Sequence, residues 1–561
     1  MTEKSIPINS MPLSKQVLLN FRAHGKEIDI TFGEATTSIA AIGGTGSGKS
    51  TTIMMPALYK FIQKECPGLV IDSKNEMTAF CQEYVSRDKL LLVGGSNQCT
   101  PVNILEGISE ETFRAFIGEL SIIKDGNQTF WGSGAVRDSM LVFKFFKEAK
   151  NRTVTLAELY DIINEPLSFI LELVKWLKTQ DKISESLSTT IRAVNSCAFG
   201  MMALYDFDIV DYFVMKSRDL PDKRMDDSRV SEQYSWHSQR LLNNIRQFST
   251  CELLRKNLSS HSEKPIRFDE EIYENNKIIA MDMPTAIYGQ TAFVLGKLLR
   301  DRFYQAALSI PESKRKSLGF GTDKFTFMLV DEYQNVMRIQ SESASSGIID
   351  DNIWFAQCRG FGHINVVSFQ GFSSLYAVAN NKDCVNSLLQ NIISKLILAN
   401  SDIETLNYLR YLMDNGIDKV RHLATPSKMG EMVIHKSGWG NACLEFTQTA
   451  NSKYEHMNMF LGKDINKIST YDELKTLIKN IFYWAPKVKK EDEDGTIGDT
   501  PVVDSKLAGI IGILVEENKE PDQDTIKLLT LVSDQGEVAP DEFYFDSKPD
   551  EIAPETKTNK E

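Results

Sequence analysis

The chain has 561 residues, 42% hydrophobic and 25% charged, a composition of ordinary globular proteins with room for two to four domains. The polar opening Met1-Thr2-Glu3-Lys4-Ser5-Ile6-Pro7 is no signal peptide, apolar runs such as Leu507 to Val515 are too short for a bilayer, and eight cysteines without a Cys-x-x-Cys read as reduced, mostly buried thiols of a cytoplasmic protein. The net charge of −13 does not exclude nucleic acid, because Glu491 to Glu561 carry 20 Asp/Glu against 6 Lys/Arg, a balance of −14 that leaves residues 1–490 at +1.

The first predicted strand is Ser38-Ile39-Ala40-Ala41-Ile42, and it runs into Gly43-Gly44-Thr45-Gly46-Ser47-Gly48-Lys49-Ser50. That spacing is a complete nucleotide-binding P-loop, in which glycines let successive backbone N–H groups turn inward toward phosphate oxygens. Lys49 is placed to reach the β- and γ-phosphates, Ser50 to offer its hydroxyl to Mg²⁺, and the helix beginning at Thr51 to aim its positive end at the anion. Further short apolar runs predict strands at Gly68–Ile71 and Leu90–Val93.

Strand signals then stop. Apolar residues recurring every three or four positions predict helices over Glu110–Lys124, Val136–Lys150, Leu156–Ile163, Leu167–Lys178, Ser184–Leu204 and Glu232–Phe248. Strands resume at Lys277–Met281, Phe325–Val330, Ile364–Ser368 and Lys395–Leu398. The pattern predicts an α/β fold with a parallel sheet and an all-helical domain inserted into it. The expected boundaries are 1–104 and 264–485 for the two parts of the nucleotide-binding domain, 105–263 for the helical insert, and 486–561 for an acidic linker and tail. The tail has the composition of a disordered segment, interrupted by apolar patches near Asp504–Glu516 and Thr525–Val532.

The strand ending in Val330 is followed by Asp331 and Glu332. Beside a P-loop, such a pair suits Asp331 to Mg²⁺ and Glu332 to orienting and deprotonating an attacking water. A glutamate directly after the aspartate, with no guanine-selecting Asn-Lys-x-Asp, favours ATP-driven motors over small GTPases. Arg359 precedes the strand at 364–368 and Gln370 follows it, bracketing a sheet edge suited to γ-phosphate sensing. Asp72, Lys74 and Glu76 follow the second strand on the P-loop edge, where nucleotide, a neighbouring subunit or solvent are all open. Phe130-Trp131 reads as helical core, and His237 and His363 lie in no ligand-like cluster.

Taken together, Gly43–Ser50, Pro67–Glu76, Phe130-Trp131, Leu329–Gln334, Arg359–Gln370 and Asn391–Leu398 resemble the type IV secretion coupling ATPases over roughly residues 35 to 420. The resemblance implies a RecA-like P-loop ATPase using ATP and Mg²⁺, with an all-helical domain between its two nucleotide motifs. It implies Arg359 as a finger reaching a neighbouring subunit's nucleotide, Gln370 as γ-phosphate sensor, and a homo-hexameric ring. It further implies cargo of DNA (single-stranded) and/or secreted proteins, with secretion-channel subunits or adaptor proteins as partners and an acidic tail that docks them. Typical members carry two transmembrane helices before this domain, whereas only about forty residues precede the P-loop here. The expectation is therefore a soluble branch, or peripheral association at the inner face of the cell membrane through a partner. A DNA-pumping translocase outside secretion, and a nucleotide-binding adaptor with little turnover, remain open.

Overall fold

The computed structural model describes residues 11–23, 26–121, 128–195, 201, 228–261, 266–339, 350–379, 382–412, 431–435, 445–448, 487–491 and 497–501. The chain divides into two compact units, 1–450 and 451–561. In the first, an antiparallel hairpin of β1 (Val17–Ala23) and β2 (Lys26–Thr31) precedes a nine-stranded sheet. The sheet's strands are β3 (Ile39–Ile42), β4 (Gly68–Ile71), β5 (Leu90–Gly94), β6 (Ile278–Asp282), β7 (Thr326–Val330), β8 (His363–Phe369), β9 (Ser394–Leu398), β10 (Glu431–His435) and β11 (Glu445–Gln448). Their order is β11-β10-β9-β3-β8-β7-β4-β6-β5, with β9 through β5 parallel and β10 and β11 added antiparallel at one edge.

The central strands are buried along their whole length, since helices cover both faces of a parallel sheet. That is why they read in the sequence as continuous apolar runs. β8 lies between β3 and β7, which sets the P-loop strand and the Asp331 strand one strand apart.

Between β5 and β6 the described residues contain helices and no named strand: Glu110–Ser121, Gln128–Ala149, Leu156–Asn164, Leu167–Thr179, Glu185–Asn195, Ser228–Thr250 and Glu252–Leu258. The part of the predicted Ser184–Leu204 helix beyond Asn195 lies largely outside the described residues. Phe130 and Trp131 fall on the helix Gln128–Ala149, and their side chains are outside the description. His237 is buried against Asp138, with Nε2 3.2 Å from Oδ2; burial raises the Asp138 carboxyl above its usual range despite that contact.

The helical segment joins the sheet through a buried charge cluster. Glu119, on the helix Glu110–Ser121, meets Lys297 at 2.8 Å, Arg300 at 3.3 Å and Arg338 at 2.6 Å. Arg300 and Arg338 also pair with Asp301. Burial alone would raise the Glu119 carboxyl, but Arg338, Lys297 and Arg300 hold it well below the carboxylate range.

In the second unit the described residues form an antiparallel ribbon of β12 (Lys487–Glu491) and β13 (Ile497–Pro501). The tail patches near Asp504–Glu516 and Thr525–Val532 lie outside the described residues. No helix among the described residues is long and apolar enough to cross a membrane.

Candidate nucleotide site

Gly43 and Gly44 carry the chain out of β3, donating to the carbonyls of Phe369 (3.2 Å) and Ala399 (3.0 Å) at the ends of β8 and β9. Gly46 and Gly48 then take φ of +78° and +94°, a region that L side chains rarely occupy, and the loop curls. A Cβ on Gly43 would come within 2.5 Å of Ser47 Oγ, so the curl has no room for a side chain there. Thr45 and Gly46 are exposed at the crest, whereas Ser47 and Lys49 are buried.

The expected helix after the P-loop starts differently from an ordinary one. Residues Ser50–Met54 form wider π-type turns, with the Met55 N–H donating to the Ser50 carbonyl, before the α-helix Met55–Gln63 begins. Pro56 explains this: it has no N–H to give to the Thr52 carbonyl, so the α ladder cannot run unbroken through it. Thr51 Oγ1 donates to the Gly48 carbonyl (3.2 Å) and Ser50 stays partly accessible at the loop end.

Lys49 Nζ donates to the carbonyls of Gly43 (2.6 Å) and Gly44 (3.1 Å). Burial lowers its ammonium below the usual lysine value, Glu332 and Asp331 oppose that, and the charge of Lys74 adds to it. The Ser47 hydroxyl is buried without a hydrogen-bond partner. A buried cation whose neighbours are neutral carbonyls, an unsatisfied hydroxyl, and an exposed crest with no atom within 4 Å of a Gly46 Cβ all fit a phosphate chain.

The second half of the site follows from register. Ile42 pairs with Phe369 and Val330 with Val367, so Asp331 comes level with Ser368, and Gln370 emerges between β3 and β7. The Ser368 hydroxyl donates to Asp331 Oδ1, and Asp331 is almost wholly buried. Its carboxylate and the Ser50 hydroxyl at the end of the P-loop are hard oxygen donors of the kind Mg²⁺ takes.

Glu332 adopts a left-handed backbone, φ +52°, unusual for a non-glycine residue. Its carboxylate accepts from the side-chain amides of Gln334 (2.6 Å) and Gln370 (3.3 Å). Gln334 is a contact that sequence reasoning gave no role; its signal was proximity to Asp331-Glu332, and only the 3-10 turn Tyr333–Asn335 aims it back. The following segment is clamped from beneath. The Tyr333 hydroxyl and the Arg338 N–H both donate to Asp351 Oδ2, and Arg300 donates to the Val336 carbonyl.

The structure brings Lys49, Asp331, Glu332 and Gln370 to one edge of the sheet. It does not place Arg359 with them. Arg359 lies exposed on the turn Cys358–Phe361, before β8 begins, while Gln370 follows the strand's end. Seven residues of strand at about 3.3 Å each put them more than about 20 Å apart, so they bracket the strand, not a shared edge. The guanidinium has no carboxylate partner among the described residues.

Asp72 is buried and accepts from the backbone N–H groups of Lys74 (2.9 Å) and Met77 (2.6 Å). Burial, reinforced by the charges of Asp331 and Glu76, pushes its carboxyl up to about 6 against those two bonds. It therefore shapes the loop, whereas Glu76 faces solvent at the start of the helix Glu76–Tyr84.

No protein-family model matches the chain, and no curated protein matches it in sequence. Solved structures match it in fold. The bacterial conjugative coupling protein TrwBdeltaN70, in an unbound monoclinic form, aligns at 13% identity over 78% of this chain and 90% of that one, with a TM-score of 0.50. The plasmid coupling protein TrwB in complex with ADP and Mg²⁺ aligns at 13% identity over 78% and 92%, also at 0.50. VirB4 of Thermoanaerobacter pseudethanolicus aligns at 13% identity over 79% and 98%, at 0.48. At such identities likeness speaks for architecture, and the chain has the RecA-like fold of the conjugative coupling protein TrwB.

Proposed function

We propose that this protein is an ATP-hydrolysing coupling ATPase of a type IV secretion system. The observation that carries the reading is the convergence of Lys49, Asp331, Glu332 and Gln370 at the C-terminal ends of the adjacent strands β3, β8 and β7. Lys49 and the P-loop amides would hold the phosphates, and Ser50 and Asp331 would hold Mg²⁺. Bound there, Mg²⁺ would neutralise charge on the phosphoryl group being transferred. Glu332 is the base, held ready by the Gln334 and Gln370 amides, which fix its carboxylate toward the P-loop edge. Gln370 is suited to sense the γ-phosphate, because its amide already links that edge to Glu332.

Arg359 acts in trans in this reading. Its position at the far end of β8, and a guanidinium without a carboxylate partner among the described residues, support a target in a neighbouring subunit of a homo-hexamer. The cargo is DNA and/or secreted protein, received through channel subunits or adaptors, with the enzyme cytoplasmic or peripheral at the membrane's inner face. The fold shared with TrwB, a bacterial conjugative coupling protein, favours this over a packaging translocase or a silent adaptor.

The test is turnover against binding. Glu332→Gln is expected to bind a fluorescent ATP analogue normally yet lose hydrolysis by about 100-fold or more, whereas Lys49→Ala loses binding and turnover together. Normal hydrolysis by Glu332→Gln would overturn the assignment of the base.

A further inference from the structure

A second cation stands at this site, on the side away from the P-loop. β4 pairs with β7 so that Ile71 is level with Val330, which makes the residues after each strand neighbours. Two residues beyond Asp72, Lys74 reaches back, and its Nζ lies 3.9 Å from Asp331 Oδ2, the oxygen that Ser368 does not hold. The Lys74 side chain is half-exposed, while Asp331 is 2% exposed. Asp331 is its only carboxylate partner within ion-pair distance among the described residues.

The loop that carries Lys74 is built, not loose. The Asp72 carboxylate takes the N–H groups of Lys74 and Met77. The Ser73 carbonyl accepts from both the N–H and the hydroxyl of Thr285, each at 3.0 Å. Asn75 sits at φ +67° and donates to Asp282 Oδ1 at 2.7 Å. Asp72, Ser73 and Asn75 each have a side chain or carbonyl tied down within the loop or to the chain at the end of β6, and the lysine side chain reaches Asp331.

The strand that Asp331 follows lies between those that Lys49 and Lys74 follow, and Asp331 and Glu332 act on the Lys49 ammonium while Lys74 stands within ion-pair distance of Asp331. The charge of Lys74 is felt at the Lys49 ammonium. Two cations against two carboxylates leave this edge close to neutral, which suits a strongly anionic ligand better than a lone lysine facing two acids would. A flexible lysine stem lets the ammonium move between Asp331 and a nearby phosphate oxygen.

We infer that Lys74 is a phosphate-contacting residue that takes the terminal phosphate of a nucleoside triphosphate held by the P-loop, and so separates triphosphate from diphosphate. The inference rests on the nucleotide-site reading above and adds a discriminating residue to it.

Equilibrium binding tests it without turnover, by displacement of a fluorescent nucleotide from the full chain by a non-hydrolysable ATP analogue or by ADP, each with Mg²⁺. Lys74→Ala is expected to weaken the ATP analogue about tenfold and ADP less than about twofold, with Lys74→Arg keeping most of the difference. If Lys74 only steadies Asp331, both nucleotides weaken alike, and that outcome overturns the inference, as does no change for either. Loss of ADP binding alone would overturn it too. Failure of the unsubstituted chain to bind either nucleotide would overturn the ATPase reading as well, so the two failures are told apart by the wild-type curve.

Discussion

Glu332 owes its position to backbone as much as to side chain: a left-handed φ turns the chain at the end of β7, and two glutamine amides then hold the carboxylate. At the other end of the neighbouring strand, His363 does comparable work for the turn that bears Arg359. Its Nδ1 accepts from the Thr326 hydroxyl (2.9 Å) and its Nε2–H donates to Asn365 Oδ1 (2.8 Å), the tautomer that this pair of partners requires. Asn365 passes the contact on to Ser38 and to Cys358, the first residue of that turn. Burial pushes the imidazole down to about 3 from its ordinary 6.5, the Asn365 bond opposing. A histidine depressed in the folded state contributes its full stability above the unfolded value and loses it as pH falls toward the folded one. Between pH 7 and pH 5 that loss amounts to about 2 kcal/mol. Asp72, raised to about 6, works in the opposite direction over that range but does so in any variant that keeps it. His363→Gln should therefore lose about 2 kcal/mol less than the unsubstituted chain between those pH values in urea unfolding, even if it starts less stable. Parallel pH profiles for the two chains would contradict a neutral buried His363.

At the scale of elements, the helix Glu110–Ser121, the helix Gln290–Ser309 and the segment after β7 meet where Glu119, Arg300, Asp301, Arg338 and Asp351 are packed together. The cluster joins the helical segment to the stretch of chain that begins with Glu332. Arg338→Ala would leave Glu119 and Asp301 buried with one cation fewer. Such a break costs about 3–5 kcal/mol, because the abandoned charge stays out of water. Chemical denaturation should show that loss, and a drop below about 1 kcal/mol would mean that the pair is solvated in solution. Little of this was legible beforehand: charged residues within amphipathic helices read as solvent-facing, and only packing turns Glu119 and Arg300 inward. The strands were legible for the opposite reason. β3, β4, β7 and β9 are buried on both faces, so their sequences are apolar without alternation, and their predicted ends fall within a residue of the observed ones. The β1–β2 hairpin escaped notice because charged Arg22, Lys26, Glu27 and Asp29 break its apolar pattern. Within the site, motif residues were readable one by one. The partnership of Ser368 with Asp331, and of Lys74 with the same carboxylate, depends on β8 and β4 flanking β7, and strand order is not written in local sequence.

On the scale of the whole molecule, the separation of Arg359 from Gln370 along β8 makes a subunit-to-subunit finger testable by complementation. Arg359→Ala and Lys49→Ala chains, each inactive alone, should regain part of the ATPase rate when mixed, since a mixed ring can set an intact P-loop against an intact finger. No recovery, with mixed assemblies confirmed by pull-down, would refute action in trans. The acidic segment poses the remaining question. With −14 of the chain's −13 net charge carried between Glu491 and Glu561, this segment would repel nucleic acid phosphates and forgo counterion release, so it is unsuited to lie along DNA. Charge alone would make it a solubilising extension. Yet Leu507-Ala508-Gly509-Ile510-Ile511-Gly512-Ile513-Leu514-Val515 and Ile526-Lys527-Leu528-Leu529-Thr530-Leu531-Val532 are apolar runs that a solubiliser has no use for, because exposed apolar surface invites association. Acidic residues flanking apolar ones instead suit a basic protein partner that covers the apolar runs and pairs with the carboxylates. The chain also divides between Ala450 and Asn451, so a cut after Pro486 falls within the second unit and removes none of the nucleotide-site residues. Removing residues 487–561 should leave the ATPase rate unchanged and abolish capture of basic partner proteins, a capture that in the full chain should weaken as salt is raised. If the shortened chain captures the same partners with the same salt dependence, the segment is a solubiliser and recruitment belongs to the helices between β5 and β6.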